Sequence, residues 1–296
     1  MSISASLVKQ LRDKTGVGFM ECKKALTETS GDIEKAMLWL RENGLKRAAK
    51  KANRIAAEGL VMIANNNDHS AAGMVELNCE TDFASKTEEF TSFAKELANA
   101  VMENKATSVN QILETTVGSE TYGEKLTHLI AKIGENMKIR RVAYVEADNG
   151  LVGSYIHMGG KVGSLVALKG ASKDTHAELA EDLALHVTAS SPKYLNSSSV
   201  DQSELDQEKE IAKKQLLEQG KPADMIDKIL MGQMNKFYKE VCFEDQVFFK
   251  DSKTPIRKLV EGKGDLSITT FQRFGLGEGI EKKEDNFAEE VANLAK

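Results

Sequence analysis

Cysteine, proline and tryptophan are scarce: three, three and one in 296 residues. Cys22, Cys79 and Cys242 are widely spaced and odd in number, and no CxxC pair occurs, so neither a zinc site nor a disulfide framework is supported. Such use of cysteine fits a reducing cytosol. With so little proline, no long Pro-rich linker divides the chain. No apolar run approaches the ~20 residues of a membrane-spanning helix. The opening stretch, Met1 to Leu7, lacks a charged start before an apolar run, and it lacks the Arg-rich character of a transit peptide. A cytoplasmic protein with no membrane contact is expected. A cationic surplus is missing too: 40 Lys and Arg stand against 45 Asp and Glu, a net charge of -5. That balance argues against a general nucleic-acid coat, which needs excess positive charge to displace counterions.

Catalytic templates are also absent. No GxxxxGK[ST], no GxGxxG after a strand and no HExxH occurs. The five histidines, His69, His128, His157, His176 and His186, show no metal-ligand spacing. His186 lies beside an apolar helical stripe and reads as a core or boundary residue. His157 sits on a strand between two turns, at a sheet surface, where a structural and a functional role both remain open. No nucleophile–base pair, metal set or cofactor motif emerges, so neither an enzyme nor a cofactor is expected.

What is present is a mosaic of periodicities. Ile3, Leu7 and Leu11 recur every four residues; Thr15-Gly16-Val17-Gly18 breaks the pattern, and Phe19, Met20, Ala25 and Leu26 resume it. Asp32 can cap a third helix with Ile33, Ala36, Met37 and Leu40. A basic stretch, residues 41–54, reads either as a solvated helical linker or as a surface for an acidic partner or RNA. Leu60–Ala64 and Met74–Cys79 read as a hairpin, the second strand alternating like a half-buried one. A helix through Phe90, Phe93, Leu97 and Ala100 follows, with Thr87 as N-cap, and another carries Leu126, Ile130 and Ile133. Val142–Ala147 alternates as a strand, and Asn149-Gly150 has the chemistry of a two-residue hairpin turn leading to Leu151–Met158. Gly159-Gly160 is a second turn before Val162–Leu168, and a helix with Leu179, Leu183 and Val187 starts at Ser172 or Asp174. The two hairpin-plus-helix stretches look like a weak internal repeat.

Residues 203–241 form two helical stripes around Gly220-Lys221-Pro222, the signature of an antiparallel helical hairpin. Their apolar content exceeds what two helices hide from water alone, which points to self-association. A strand over Ser267–Phe274, a glycine turn and a final helix with Phe287, Val291 and Leu294 close the chain.

The segment Asn78–Phe83 leaves a strand and enters a helix. Its chemistry allows a plain reading in which Thr81 caps, Asp82 complements the helix dipole and Phe83 packs inward.

Four stretches change the weighting. LVKQLRDKTGVGFMECKKAL (residues 7–26), ELNCETDFA (76–84), KIGEN (132–136) and GSYIH (153–157) resemble, in order, landmarks of the elongation factor Ts family. One departure is Phe19, where the family often carries Met; the apolar bulk is retained. The resemblance spans the chain. It implies an α+β fold: an N-terminal three-helix domain like ubiquitin-associated domains, a two-part core with antiparallel sheets, an inserted helical hairpin and a C-terminal helix. On that basis residues 1–54 are the N-terminal domain with its basic linker, 55–140 the first core part, and 141–200 with 242–275 the second. Residues 201–241 are then the hairpin and 276–296 the C-terminal module.

The resemblance further implies a guanine nucleotide exchange factor whose partner is elongation factor Tu. Thr81, Asp82, Phe83 and Ala84 become the wedge that disturbs the partner's Mg2+ site. Lys9, Arg12, Phe19, Met20 and His157 become partner contacts, and the hairpin a route to a homodimer. Two rivals predict otherwise. A ubiquitin-associated-like adaptor would bind without accelerating nucleotide release, and an RNA binder working through residues 41–54 would show a steep salt dependence.

Overall fold

The computed structural model describes residues 3–281, and within them not the side chains of 45–48, 223 and 224. Helices α1 (Ala5–Thr15), α2 (Phe19–Glu28) and α3 (Ile33–Lys51) come first. Ser4 caps α1 by accepting from the Leu7 N–H at 3.2 Å, and Asp32 caps α3 by accepting from the Lys35 N–H at 3.0 Å. Gly16 stops α1 with φ of 65°. Val8, Leu11, Cys22, Ala25, Leu26, Ala36 and Leu40 close a small core of their own. The basic stretch is helical to Lys51, as expected, but it continues α3 and is not solvated all round: buried Gly44 faces Ala131 so closely that a Cβ there would lie 2.9 Å from the alanine methyl.

The chain then builds β1 (Glu58–Asn65), β2 (Ala71–Cys79), the single-turn α4 (Asp82–Ser85), α5 (Glu88–Glu103), α6 (Val109–Glu114), the short β3 (Thr116–Val117) and β4 (Glu120–Thr121), α7 (Tyr122–Ile133) and β5 (Met137–Glu146). Thr87 caps α5 as its position predicts. One antiparallel sheet has the order β1-β2-β5, with Leu60 opposite Leu77 and Val75 opposite Val142. Every residue of the central strand β2 is buried, although its alternation predicts a half-buried strand. Val75, Leu77 and Cys79 pack with Phe90, Phe93 and Leu97 of α5, while Met74 on the other face joins a core shared with a second sheet.

That second sheet has the order β6-β7-β8, from β6 (Gly150–His157), β7 (Val162–Lys169) and, after four helices, β8 (Ser267–Gly275). The helices are α8 (Lys173–Ser190), α9 (Gln202–Glu218), α10 (Ala223–Val241) and α11 (Ile256–Glu261). Val152, Leu165, Ala167 and Phe274 meet Val61, Met74, Ala143 and Val145 between the sheets. Each sheet is thus a hairpin, a helix and a later third strand, the plan behind the repeat seen in the sequence. The expected Asn149-Gly150 hairpin is not formed: β5 and β6 belong to different sheets. Asn149 does take a left-handed φ of 48°, but Gly150 pairs with Lys169, where a Cβ would lie 2.2 Å from the Leu168 carbonyl oxygen. Gly150 answers close backbone approach, not a type I′ turn. The predicted final helix with Phe287, Val291 and Leu294 lies outside the described residues.

Candidate functional site

Strand β2 ends at Cys79 and the backbone turns at once. Thr81 holds an extended conformation (φ -127°, ψ 156°), and its hydroxyl accepts from the Ala84 N–H at 3.2 Å, starting α4. The Cys79 thiol donates to the Thr81 carbonyl at 3.1 Å. Burial, reinforced by the nearby Glu135 carboxylate, pushes this thiol up to about 12, so it stays a protonated donor. Ala84 and Ser85 take the inward positions of the turn; Ala84 is only 3% exposed and joins the core beneath the sheet.

A second segment grips the turn from behind. Gly134 ends α7 in the left-handed region (φ 87°), donating to Ile130, and so directs the chain back toward β2. Glu135 then accepts from the Thr81 N–H at 3.0 Å and from its hydroxyl at 2.7 Å. The Asn136 N–H donates to Glu80 at 2.6 Å, and its side-chain amide donates to the Arg54 carbonyl at 2.7 Å. Lys51, at the end of α3, donates to the Gly134 carbonyl. Two sequence landmarks, ELNCETDFA and KIGEN, are therefore one structural unit.

What this unit presents outward is Phe83, 79% exposed. The inward-packing reading of Phe83 fails because one turn of helix has room inside for Ala84 and Ser85 only. Asp82 is half-exposed and pairs with Lys86 at 2.6 Å, and the Lys86 ammonium lies 5.9 Å from the Phe83 ring centre.

The remaining candidates occupy two other surfaces. Lys9 and Arg12 are exposed on α1, and Phe19 and Met20 are exposed at the start of α2 (Met20 at 70%). Exposed His157 ends β6, its Nδ1 3.4 Å from the Tyr155 hydroxyl and its ring stacked at 6.0 Å. Beside it stand exposed Ile156 and Met158, which the sequence reading did not single out; Met158, with φ of 48°, opens the Gly159-Gly160 turn. His186 is buried, as its stripe predicts, with Nε2 3.0 Å from Gln246 Oε1 and its ring among Phe243, Phe248 and Phe249. Among the described residues no group of His, Cys, Asp or Glu is arranged to hold a metal ion, and no helix is long and apolar enough to cross a membrane.

Two family models match the chain: "Elongation factor TS" over residues 80–278 and "Elongation factor Ts, mitochondrial, N-terminal" over residues 1–48. The chain belongs to the elongation factor Ts family. The elongation factor Ts of Clostridium perfringens (strain SM101 / Type A) is 48% identical over 299 residues, 99% of each chain. That of Clostridium botulinum (strain Alaska E43 / Type E3) is 46% identical over 297 residues, 98% of each. The family is one of translation elongation factors, so the chain works in protein biosynthesis.

For an elongation factor Ts, two residues matter here that sequence reasoning passed over. Glu135 was visible only as part of a landmark, because nothing local marks a carboxylate that serves a turn 54 residues away. Glu76 falls on the polar side of an alternating strand in the sequence, yet it is fully buried and bound by Arg140 and Arg141. The two adjacent arginines on β5 were the available signal.

Proposed function

We propose that the chain is a guanine nucleotide exchange factor for elongation factor Tu and that the Thr81-Asp82-Phe83-Ala84 turn is its wedge. The observation that carries this reading is Phe83: an aromatic ring left 79% exposed on a turn whose polar groups are tied down from inside. A GTPase holds nucleotide through Mg2+ and through the N–H groups of its phosphate loop. A ring entering beside that site, with Ala84 supporting the turn from the core, disturbs those contacts without making or breaking a bond. By thermodynamic reciprocity, returning nucleotide weakens the grip of the factor by the same ratio, so nucleotide concentration drives the cycle and the factor sets its rate.

On this reading the chain needs no cofactor and is not an enzyme with covalent chemistry of its own. Lys9, Arg12, Phe19 and Met20 hold the GTPase domain, and His157, with Ile156 and Met158, meets another domain of the partner. The working parts divide at residues 1–54, 55–140, 141–200 with 242–275, 201–241 and 276–296, and the protein acts in the cytoplasm. The test is release of a fluorescent GDP from elongation factor Tu. Catalytic amounts of this protein should accelerate release many-fold; no acceleration would reject the assignment.

A second reading concerns the hairpin of α9 and α10. Ala212, Leu216, Ile226 and Met234 are buried, while Ile211, Leu217, Met225 and Met231 are each at least half exposed. Apolar side chains so displayed favour a homodimer through this element.

A further inference from the structure

Phe83 is 79% exposed and belongs to no core cluster, so its place is set chiefly through the backbone from Thr81 to Ala84. The salt bridge between Asp82 and Lys86 is solvent-exposed and adds little order. Thr81 is fixed at every polar atom. Its carbonyl accepts from Cys79, its N–H and hydroxyl both donate to Glu135, and the same hydroxyl accepts from Ala84. By accepting the hydrogen bond from the Thr81 hydroxyl, Glu135 leaves the hydroxyl lone pairs facing the Ala84 N–H that begins the helical turn. Both carboxylate oxygens of Glu135 are spent on this one residue, from a separate segment of the chain that is itself oriented by the left-handed Gly134 and by the bond from the Asn136 N–H to Glu80.

We propose that Glu135 is a positioning residue for exchange: acting through Thr81, it holds the Phe83 ring in its docking arrangement before the partner arrives. The inference rests on the exchange reading given above. Without Glu135 the Thr81 N–H loses its partner and the turn samples more conformers. The partner must then bear the ordering cost that the carboxylate has already met. Glu135 need not touch the partner for this.

The experiment compares Glu135→Ala, Phe83→Ala and the double variant in the full-length chain, by melting temperature and by stopped-flow release of fluorescent GDP from elongation factor Tu. Glu135→Ala should slow release roughly fivefold in the wild-type background and leave the rate almost unchanged in the Phe83→Ala background, since a positioning residue has nothing to position once the ring is gone. Glu135→Gln, which keeps one acceptor oxygen, should recover part of the loss. Thr81→Val removes the hydroxyl donor while leaving Glu135 in place; it should show the same dependence on Phe83 and serves as the second variant should alanine at 135 prevent folding. Equal slowing by Glu135→Ala in both backgrounds, or none in the wild type, overturns the inference while leaving the wedge standing. A Phe83→Ala variant that exchanges normally removes the wedge reading, and this inference with it.

Discussion

The backbone N–H of Gly277 donates to the Glu76 carboxylate at 2.8 Å, a hydrogen bond that spans 201 residues of sequence. Arg140 and Arg141 bind the same carboxylate, and Arg141 also donates to the Gly275 carbonyl at 2.7 Å while lying 4.3 Å from the centre of the Phe274 ring. The end of β8 is thereby locked to the middle of β2, the central strand of the other sheet. A fully buried carboxylate with two cationic partners is costly to interrupt, because the partly desolvated arginines lose their main counterion and the Gly277 N–H loses its acceptor, leaving Arg141 the longer ion pair to Glu278 at 3.4 Å. Glu76→Ala should lower stability by about 3–5 kcal/mol, read as a fall in the urea unfolding midpoint. A loss below about 1 kcal/mol, the ordinary size for a point substitution, would mean the lock is dispensable.

The α1–α2 surface makes the opposite prediction. Phe19 and Met20 are exposed and lie outside the small helical core. The double variant Phe19→Ser, Met20→Ser should change stability by no more than about 1 kcal/mol. It should weaken binding to nucleotide-free elongation factor Tu roughly tenfold, as loss of apolar anchors does. Calorimetry on the folded variant measures this, and unchanged affinity would remove these residues from the interface.

His186 links stability to pH. Burial among three phenylalanines holds its pKa below the ordinary 6.5, against a smaller opposing effect of the Gln246 hydrogen bond. A base with a depressed folded pKa contributes stability that is present above the unfolded value and is lost as pH falls through the folded one. The wild-type melting temperature should therefore drop from neutral pH to well below pH 6.5. His186→Gln, which cannot titrate, should show a shallower drop. Identical pH profiles would show that His186 does not govern this loss.

The hairpin prediction is separable from exchange. Leu217→Lys with Met231→Lys places charge on two exposed apolar sites of α9 and α10. Sedimentation should show less self-association, and GDP release should proceed at the wild-type rate. A mass in solution that is unchanged and monomeric before and after substitution would remove the dimer reading.

Local chemistry wrote much of this fold into the sequence. The caps at Asp32 and Thr87, the helix break at Gly220-Lys221-Pro222 and the stripe that buries His186 all rest on neighbours within a few residues. Tertiary decisions were less legible. Asn149-Gly150 has hairpin chemistry, yet β6 is claimed by β7 and crosses to the other sheet. The alternation of β2 reads as half-buried because Glu76 and Asn78 are polar; a second sheet and two arginines cover that face instead. At the candidate site, the Thr81 cap was legible, but whether Phe83 turned in or out depended on Ala84 and Ser85 filling the space beneath, and the hold of Glu135 depended on the return of α7.

On the exchange reading, Phe83 acts on the partner rather than on its own fold. Its 79% exposure means that Phe83→Ala removes no core packing, so the melting temperature should match the wild type. Stopped-flow GDP release from elongation factor Tu should slow roughly tenfold or more, since each ~1.4 kcal/mol lost from the transition state costs a factor of ten. Asp82→Ala, which frees Lys86 but leaves the ring, should have a smaller effect. Phe83→Ala that releases GDP at the wild-type rate would contradict the account, as would a variant whose slowing is matched by a loss of folded protein.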